Sequence, residues 1–403
     1  ITDISLIANE QEVILVTEQG YIKRMSVDIF EAQNRATRGK SGTRMKDDDA
    51  IEHFITCCTH DHVLFFTDRG VAYSLRAYQV PEGSRVARGN PIVQMLPIPR
   101  EEKVTSVLGG SDFTEDDYLV MLTMGGYIKK TALSAFSNIR ANGLKAIVLE
   151  EGDQLRWVRL AHPEDGILSG PRQRMPIHIQ ASHDQLRPLG RSTRGVRSMS
   201  LKGDDALISM DILSAQVTAA VPEARDTEPD TELEDEVSEV DNCDQGPWVL
   251  VIAASGLGKR VPVSNFRKQN RAGMGLVGMK FRKNDDELVA LRVVNPDEEL
   301  MLVTARGIII RQAICAISVQ SRMATGVQLQ RLDDDDEIAA VAIVPQPPEE
   351  TETLTELVEE IVDTLGDVTA ADVDLTDVDA ASSTASDAPA VDDAADSTMD
   401  DNG

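Results

Sequence analysis

Val13–Lys46 reads VILVTEQGYIKRMSVDIFEAQNRATRGKSGTRMK, and later segments of the chain read as diverged copies of it. Val13–Val16 is a continuous, largely β-branched apolar run, which at this length favours a strand buried on both faces. Thr17-Glu18-Gln19-Gly20 then reads as a tight hairpin, with Gly20 supplying the positive φ that a three-residue loop with a G1 bulge requires. Tyr21–Arg24 is the expected return strand, with Lys23 and Arg24 on opposite faces. The loop Gln33–Gly42 follows and sets Arg35, Arg38 and Lys40 among small residues that let a flat anion come close.

Aligning the hairpin glycine gives Gly20, Gly70, Gly126, Arg174 in place of a glycine, Gly258 and Gly307. A second landmark, a loop glycine, recurs at Gly39, Gly89, Gly143, Gly195, Gly275 and Gly326. Five of these six glycines have an arginine four positions earlier: Arg35, Arg85, Arg191, Arg271 and Arg322. The third copy carries Arg140 instead. A third landmark is acidic, from Asp47-Asp48-Asp49 through Glu150 to Asp153, Gly203-Asp204-Asp205 and Asn284 to Glu287 to Asp333–Glu337, each ahead of another apolar strand. Three landmarks in register with a period near 50 residues and about four strands per period predict an all-β array of six propeller-like blades. Pro171 and Pro176 flank the fourth hairpin, so that blade is expected to be the most irregular.

The net charge of -28 argues against nucleic acid only as an average. Residues 345–403 carry 18 acidic and no basic side chains, and residues 214–247 carry 11 acidic and one basic. The remaining 310 residues hold 39 of each sign, a neutral core with two acidic appendages. Blades one to four are placed at 1–213, an acidic disordered insertion at 214–247, blades five and six at 248–344 and an acidic tail at 345–403. Within the tail, Leu354, Leu357, Val358, Ile361, Val362 and Leu365 recur at helical spacing behind a Thr353/Glu356 capping box, which predicts a short amphipathic helix near 353–365. A tail with 18 negative charges can occupy basic groups elsewhere on the chain.

Cys57, Cys58, Cys243 and Cys315 show no C-x-x-C spacing, and adjacent strand positions disfavour a Cys57–Cys58 bridge, so a reducing, cytoplasmic compartment is expected. No run is long enough for a membrane span. The chain opens at Ile1 in a strand-like Ile4–Ala8, which reads as part of something longer.

At Gln33–Gly42 the sequence resembles the C-terminal domain of the A subunit of DNA gyrase, a type IIA topoisomerase. The family's gyrase box, commonly QRRGGKG, is matched by Gln33-Asn34-Arg35-Ala36-Thr37-Arg38-Gly39, with departures at Asn34, Ala36 and Thr37. The resemblance runs through all six repeats. It implies a six-bladed β-pinwheel whose blades exchange strands, and binding of duplex DNA wrapped around a basic rim in support of ATP-dependent negative supercoiling. It also implies a domain that is not catalytic by itself and holds no cofactor, ATP and Mg being used by other parts of the holoenzyme. Its partners would be duplex DNA and both kinds of gyrase subunit, the rest of its own A subunit together with the B subunit. The isolated domain would be monomeric, with no membrane involved. The degraded box keeps the C-terminal domain of the topoisomerase IV A subunit open as an alternative, and a propeller scaffold for protein partners is a further one.

A duplex is a line of phosphates, so a wrapping protein needs cations repeated along a rim. The hairpins offer Lys23-Arg24, Lys129-Lys130, Lys259-Arg260 and Arg311. The loops offer Arg35, Arg38, Lys40, Arg88, Arg140, Arg191, Arg194, Arg197, Arg271 and Arg322. Any one exposed arginine is ordinarily just solvated; recurrence at one position in five copies singles out the set. His60-Asp61-His62 lacks a second ligand pair and reads as a turn. Gly256-Leu257-Gly258-Lys259 lacks the G-x-x-x-x-G-K-[ST] spacing and the following helix of a phosphate loop. WD40 and kelch signatures are absent, as is an active-site tyrosine motif: Tyr21, Tyr73, Tyr78, Tyr118 and Tyr127 all fall in the repeats.

Overall fold

The computed structural model describes residues 4–26, 51–84, 87–110, 113–173, 175–201, 203, 205–221, 246–282, 286–305, 308–333 and 336–345. All lie in the first of the chain's two units, Ile1–Pro347. The gyrase-box-like residues 33–39, Lys40 and the helix expected at 353–365 fall outside the described residues.

Repeat one supplies β1 (Gln11–Thr17), β2 (Tyr21–Ser26) and β3 (Ile51–Cys58). Repeat two supplies β4 (His62–Thr67), β5 (Val71–Arg76), the two-residue β6 (Asn90–Pro91) and β7 (Val104–Gly110). Repeat three supplies β8 (Tyr118–Thr123), β9 (Tyr127–Ala132), β10 (Leu144–Lys145) and β11 (Leu155–Ala161). Repeat four supplies β12 (Gly166–Pro171), β13 (Ile177–Gln180), β14 (Val196–Arg197) and β15 (Leu207–Leu213). Repeat five supplies β16 (Trp248–Ala253), β17 (Leu257–Pro262) and β18 (Leu288–Val294). Repeat six supplies β19 (Glu298–Thr304), β20 (Ile309–Ala313), β21 (Val327–Gln328) and β22 (Ile338–Pro345).

These form six antiparallel sheets. In each, the first hairpin strand is central, flanked by its return strand and by the last strand of its own repeat. Sheets one, two, three and five gain a fourth strand, and it comes from the loop of the following repeat: β6 on β2, β10 on β5, β14 on β9 and β21 on β17. Neighbouring sheets are therefore stitched by backbone hydrogen bonds as well as by packing.

The apolar runs bury both faces, as their composition requires. Val63 and Phe65 of β4 pack into a core with Ile14, Val16 and Ile22 of sheet one. Leu64 and Phe66 of the same strand face Leu119 and Met121 of sheet three. The alternation repeats at β16, whose Val249 and Val251 join Leu168 and Leu213 of sheet four, while Leu250 and Ile252 join Leu300 and Leu302 of sheet six. Each fully buried side chain of this size contributes roughly 1.5–3 kcal/mol, and no sheet has that burial without its neighbours.

The loop glycine is where the stitch is made. Gly195 has φ +99°, and a Cβ there would lie 2.4 Å from the Ile128 carbonyl oxygen of the neighbouring sheet. Gly89 stands in the same way against Ile22. Only a residue without a side chain permits both the dihedral and the approach.

Several expectations need correction. The hairpin glycine of repeat five is Gly256 (φ +80°), two residues before the Gly258 of the sequence alignment. Leu257 occupies the position of Tyr21, since it pairs with Gln328 as Tyr21 pairs with Pro91. Two glycines in one turn made the register ambiguous. Ile4–Leu6 is a 3-10 turn rather than a strand, because β1 begins at Gln11. Helix α1 (Ala215–Ala220) occupies the start of the segment expected to lack structure. Ser214 caps it by accepting from Val217 N–H, and Thr218 and Val221 are buried. Sheet four has the shortest return strand, four residues, whereas its register break between Gly170 and Pro171 recurs at the matching point of the other five sheets. Its missing fourth strand is replaced by one bond, Leu276 N–H to the Pro176 carbonyl at 2.8 Å. Cys57 and Cys58 are free thiols, with burial pushing Cys57 up to about 12. Cys315 is disulfide-bonded.

Gly195→Ala is expected to lower unfolding free energy by about 2 kcal/mol or more, from the strained dihedral plus the clash; urea denaturation followed by circular dichroism measures it.

Candidate nucleic-acid interface

The basic side chains divide into two populations with different partners. The first points inward. Lys129 on β9 is fully buried, and its Nζ donates to the carbonyls of Ala146, Gly190, Arg191 and Thr193 at 2.6, 3.1, 3.0 and 3.2 Å. Three of those carbonyls belong to the loop of repeat four, whose β14 completes the sheet. Lys259 repeats the arrangement with Ser321, Arg322 and Ala324 at 2.6, 2.6 and 2.8 Å. Lys23 does so more openly, with Ser84 and Ala87 at 3.2 and 2.8 Å. In each odd-numbered sheet an ammonium thus gathers the carbonyls of a sharply turned loop that lack strand partners.

The next residue along the strand makes a second pin. Arg24 Nε donates to the Val80 carbonyl at 3.2 Å, Arg260 Nε to Ile317 at 2.5 Å, and Lys130 Nζ to Ala181. His178 occupies this position in sheet four, its Nδ1–H donating to the Phe266 carbonyl at 2.8 Å. The residue twelve positions earlier, across the hairpin, backs each group. Glu12 pairs with Arg24 and Glu299 with Arg311. Tyr118 and Trp248 offer ring faces 4.7 and 5.0 Å from Lys130 and Arg260. Gly166 leaves space for His178, whose Nε2 a Cβ there would approach to 2.3 Å. Arg322 is buried too, donating to the Val277 carbonyl at 3.2 Å.

Lys129, Lys130, Lys259, Arg260 and Arg322 were expected on a DNA-facing rim; burial and saturation by backbone carbonyls remove them from it. Lys23 and Arg24, half-buried and similarly engaged, belong with them structurally.

The second population is exposed on the loops. Arg88 lies 4.0 Å from the Tyr21 ring centroid and donates to Gln19 Oε1 at 2.6 Å. Arg194 and Arg197 lie 4.5 and 5.0 Å from the Tyr127 ring, with Arg197 donating to the phenol oxygen at 3.1 Å. Arg194 also pairs with Glu150, both side chains being nearly half exposed, so the pair is weak and open to exchange. Arg140 and Arg271 are exposed and Arg191 is half-buried. Arg35, Arg38 and Lys40 lie outside the described residues.

The tyrosine platforms were not identified from the sequence. The signal was present: Tyr21 and Tyr127 each follow a hairpin glycine, and each stands 67 residues before its arginine. The acidic landmark is also reassigned. Asp153 Oδ1 accepts from Gly125 N and Gln154 N, both at 2.8 Å. Asp205 accepts from Gln173 N and Ala206 N at 3.1 and 2.9 Å, and Asp286 from Ser255 N and Glu287 N at 3.2 and 3.0 Å. These carboxylates clamp the hairpin turns. Among the described residues no group of three or more His, Cys, Asp or Glu side chains could hold a metal ion.

A family model described as "DNA gyrase C-terminal domain, beta-propeller" matches residues 11–58, 61–108, 117–162, 179–214, 247–295 and 298–345, one segment in each repeat, the fourth beginning within β13. The chain belongs to the DNA gyrase C-terminal domain family. A DNA gyrase A subunit of Synechocystis sp. is 60% identical over 350 residues, covering 86% of this chain and 41% of that protein. The chloroplastic/mitochondrial DNA gyrase A subunit of Arabidopsis thaliana is 42% identical over 356 residues, covering 86% and 36%. The chain therefore spans about two fifths of the length of these relatives. The gyrase-type fold is shared by two solved structures. The C-terminal domain of DNA topoisomerase IV has a TM-score of 0.65 at 21% identity, covering 88% of this chain and 99% of that one. A DNA gyrase A C-terminal domain has a TM-score of 0.60 at 22% identity, covering 83% and 99%.

Lys129 supplies a test of the inward set. Burial pushes its pKa down to about 8, with the Arg191 charge adding to the effect. Between that value and the unfolded lysine value of about 10.4, the unfolded chain holds more protons, so stability rises with pH across the window. Lys129→Met should cost about 2–4 kcal/mol near neutrality by orphaning the loop carbonyls. The wild-type advantage should widen between pH 8 and 10 in denaturation curves of the two proteins.

Proposed function

We propose that this gyrase-family domain binds duplex DNA through the exposed loop arginines Arg88, Arg140, Arg191, Arg194, Arg197 and Arg271 and wraps the duplex across successive blades. The observation that carries the reading is the sorting of cations: those committed to backbone carbonyls are buried, whereas the arginines on loops of repeats two to five remain accessible. Arginine suits the task because its planar fork bonds two phosphate oxygens at once. The aromatic ring beneath Arg88, and that beneath Arg194 and Arg197, holds the guanidinium at the surface, and the exposed Arg194–Glu150 pair is weak enough to exchange for phosphate. Arg35, Arg38 and Lys40 of the gyrase-box-like segment extend the proposed contact set to repeat one.

Bending costs several kcal/mol per 20 to 30 base pairs, so contacts must be spread over several blades to offset it. Contacts to phosphate specify position rather than sequence, and weak sequence preference follows. In the cytoplasmic holoenzyme the domain would work with the remainder of the gyrase A subunit, together with the gyrase B subunit, contributing no chemistry or cofactor itself. Relatives named for gyrase favour this assignment over topoisomerase IV. No helix among the described residues is long and apolar enough to cross a membrane.

The test is the salt dependence of binding to a long and a short linear duplex. The wild type should bind the long duplex tighter than the short one, with affinity falling steeply as salt rises. An Arg88→Ala/Arg194→Ala/Arg197→Ala variant should lose about 0.9 in the log–log salt slope for each phosphate contact removed. An unchanged slope would exclude these arginines as phosphate contacts, and equal affinity for both lengths would exclude wrapping.

A further inference from the structure

At the position where repeats two and four expose an arginine, repeat five exposes a methionine. Arg88 and Arg194 are each the residue before a loop glycine, Gly89 or Gly195, that seats against the Ile22 or Ile128 carbonyl of the preceding sheet. Gly275 seats on its preceding sheet in the same way. A Cβ there would lie 2.1 and 2.7 Å from the Met175 and Pro176 carbonyl oxygens, and the residue before Gly275 is Met274. The ring position changes together with the arm: Tyr21 and Tyr127 precede Ile22 and Ile128, whereas Met175 precedes Pro176. The junction between repeats four and five thus has a methionine in place of each member of the arginine–tyrosine pair.

Met274 is 54% exposed, and the exposed Arg271 stands three residues before it. A loose loop would fold such a side chain back onto apolar surface, but this loop is held on both sides. Arg271 N–H donates to Gln185 Oε1 at 3.2 Å, and Ala272 N–H to the Ser198 carbonyl at 2.6 Å. Ser200 donates through N–H to the Gly273 carbonyl and through its hydroxyl to the Ala272 carbonyl, both at 2.9 Å. Beyond Met274, Leu276 N–H is bonded to the Pro176 carbonyl. Ala272 has a φ of +65°, the one residue other than glycine with a positive φ among the described residues. An alanine keeps that conformation only where its surroundings fix it. The backbone on either side of Met274 is therefore set, and its side chain is presented to solvent by a rigid loop.

A thioether carries no charge and is only a weak acceptor, so it has nothing to offer a phosphate oxygen. A duplex passing this position meets it favourably only through the apolar surface of sugars and base edges, which lies in a groove. Methionine is among the side chains that enter a groove as apolar wedges where a duplex is bent.

We infer that Met274 enters a groove of the bound duplex at the junction between repeats four and five and makes an apolar contact there that is independent of salt. The inference rests on the duplex binding proposed above and deepens it. Along one rim, arginines hold phosphates at two junctions, and at a third the same position of the loop touches the interior of the duplex.

The experiment is the affinity of the full 403-residue chain for a long linear duplex, measured by fluorescence anisotropy over a range of salt concentrations. Met274→Gln keeps the length of the side chain and removes its apolar end. It should weaken binding by about fivefold or more at every salt concentration while leaving the log–log slope unchanged, as loss of apolar rather than phosphate contact requires. Met274→Leu should bind as the wild type does. Met274→Arg should steepen the slope by about 0.9, the effect of one added phosphate contact. Because Met274 is exposed, all three variants should melt with the wild type, which circular dichroism of the same samples checks. Wild-type affinity in Met274→Gln would overturn the inference, as would a loss confined to low salt. The reading beneath it is judged on separate proteins: an unchanged slope in the Arg88→Ala/Arg194→Ala/Arg197→Ala variant would remove the phosphate contacts, and the groove contact with them.

Discussion

The interaction on which the array depends is a buried ammonium or guanidinium bonded to the backbone carbonyls of the next repeat. A blade loop that turns sharply enough to lend two residues to its neighbour leaves several carbonyls without ladder partners. In water they would be solvated; between two packed sheets they must be paired or the loop cannot sit there. Lys129 and Lys259 meet that need with fully buried side chains. A lysine is suited to it because three donors on a flexible stem can converge on oxygens no strand could reach. The lysine pin recurs in sheets one, three and five, so that the six blades are joined as pairs by this device, and packing and strand exchange do the rest.

That division of labour shapes what the surface can do. Cations used as pins are unavailable to a ligand, and on the function proposed above the exposed loop arginines are the groups that meet phosphate. The tyrosines beneath Arg88 and Arg194 hold these side chains at the surface, where the exposed Arg194–Glu150 pair is weak enough to exchange. The acidic landmarks do two things: Asp153, Asp205 and Asp286 tie down hairpin turns, while Glu150 pairs with Arg194.

Much of the fold was legible because its signals are local. The apolar runs flanked by glycine turns announced six hairpins, and the family resemblance implied exchanged strands. Among the described hairpin glycines, register failed at Gly256, where two nearby glycines satisfied the pattern equally well. The short strands β6, β10, β14 and β21 were invisible in composition, since two residues carry no periodicity. The site was half legible. Recurrent cations were found, but nothing local distinguishes Lys129 from Arg194. The partners of Lys129 are backbone carbonyls as many as 64 residues away, which leave no side-chain trace. The partners of Arg194 include an aromatic ring in the same position as Tyr21, a coincidence visible once the repeats are superposed.

Chemical footprinting with mass spectrometry puts the sorting of cations to its most direct test, using an amine-reactive acylating reagent and an arginine-selective dicarbonyl with and without a long duplex. The account predicts that Lys129 and Lys259 are inert in both conditions, whereas Arg88, Arg194 and Arg197 react in the free chain and are shielded by DNA. Lysines 129 and 259 that react freely and become protected by the duplex, with the loop arginines indifferent to it, would contradict it.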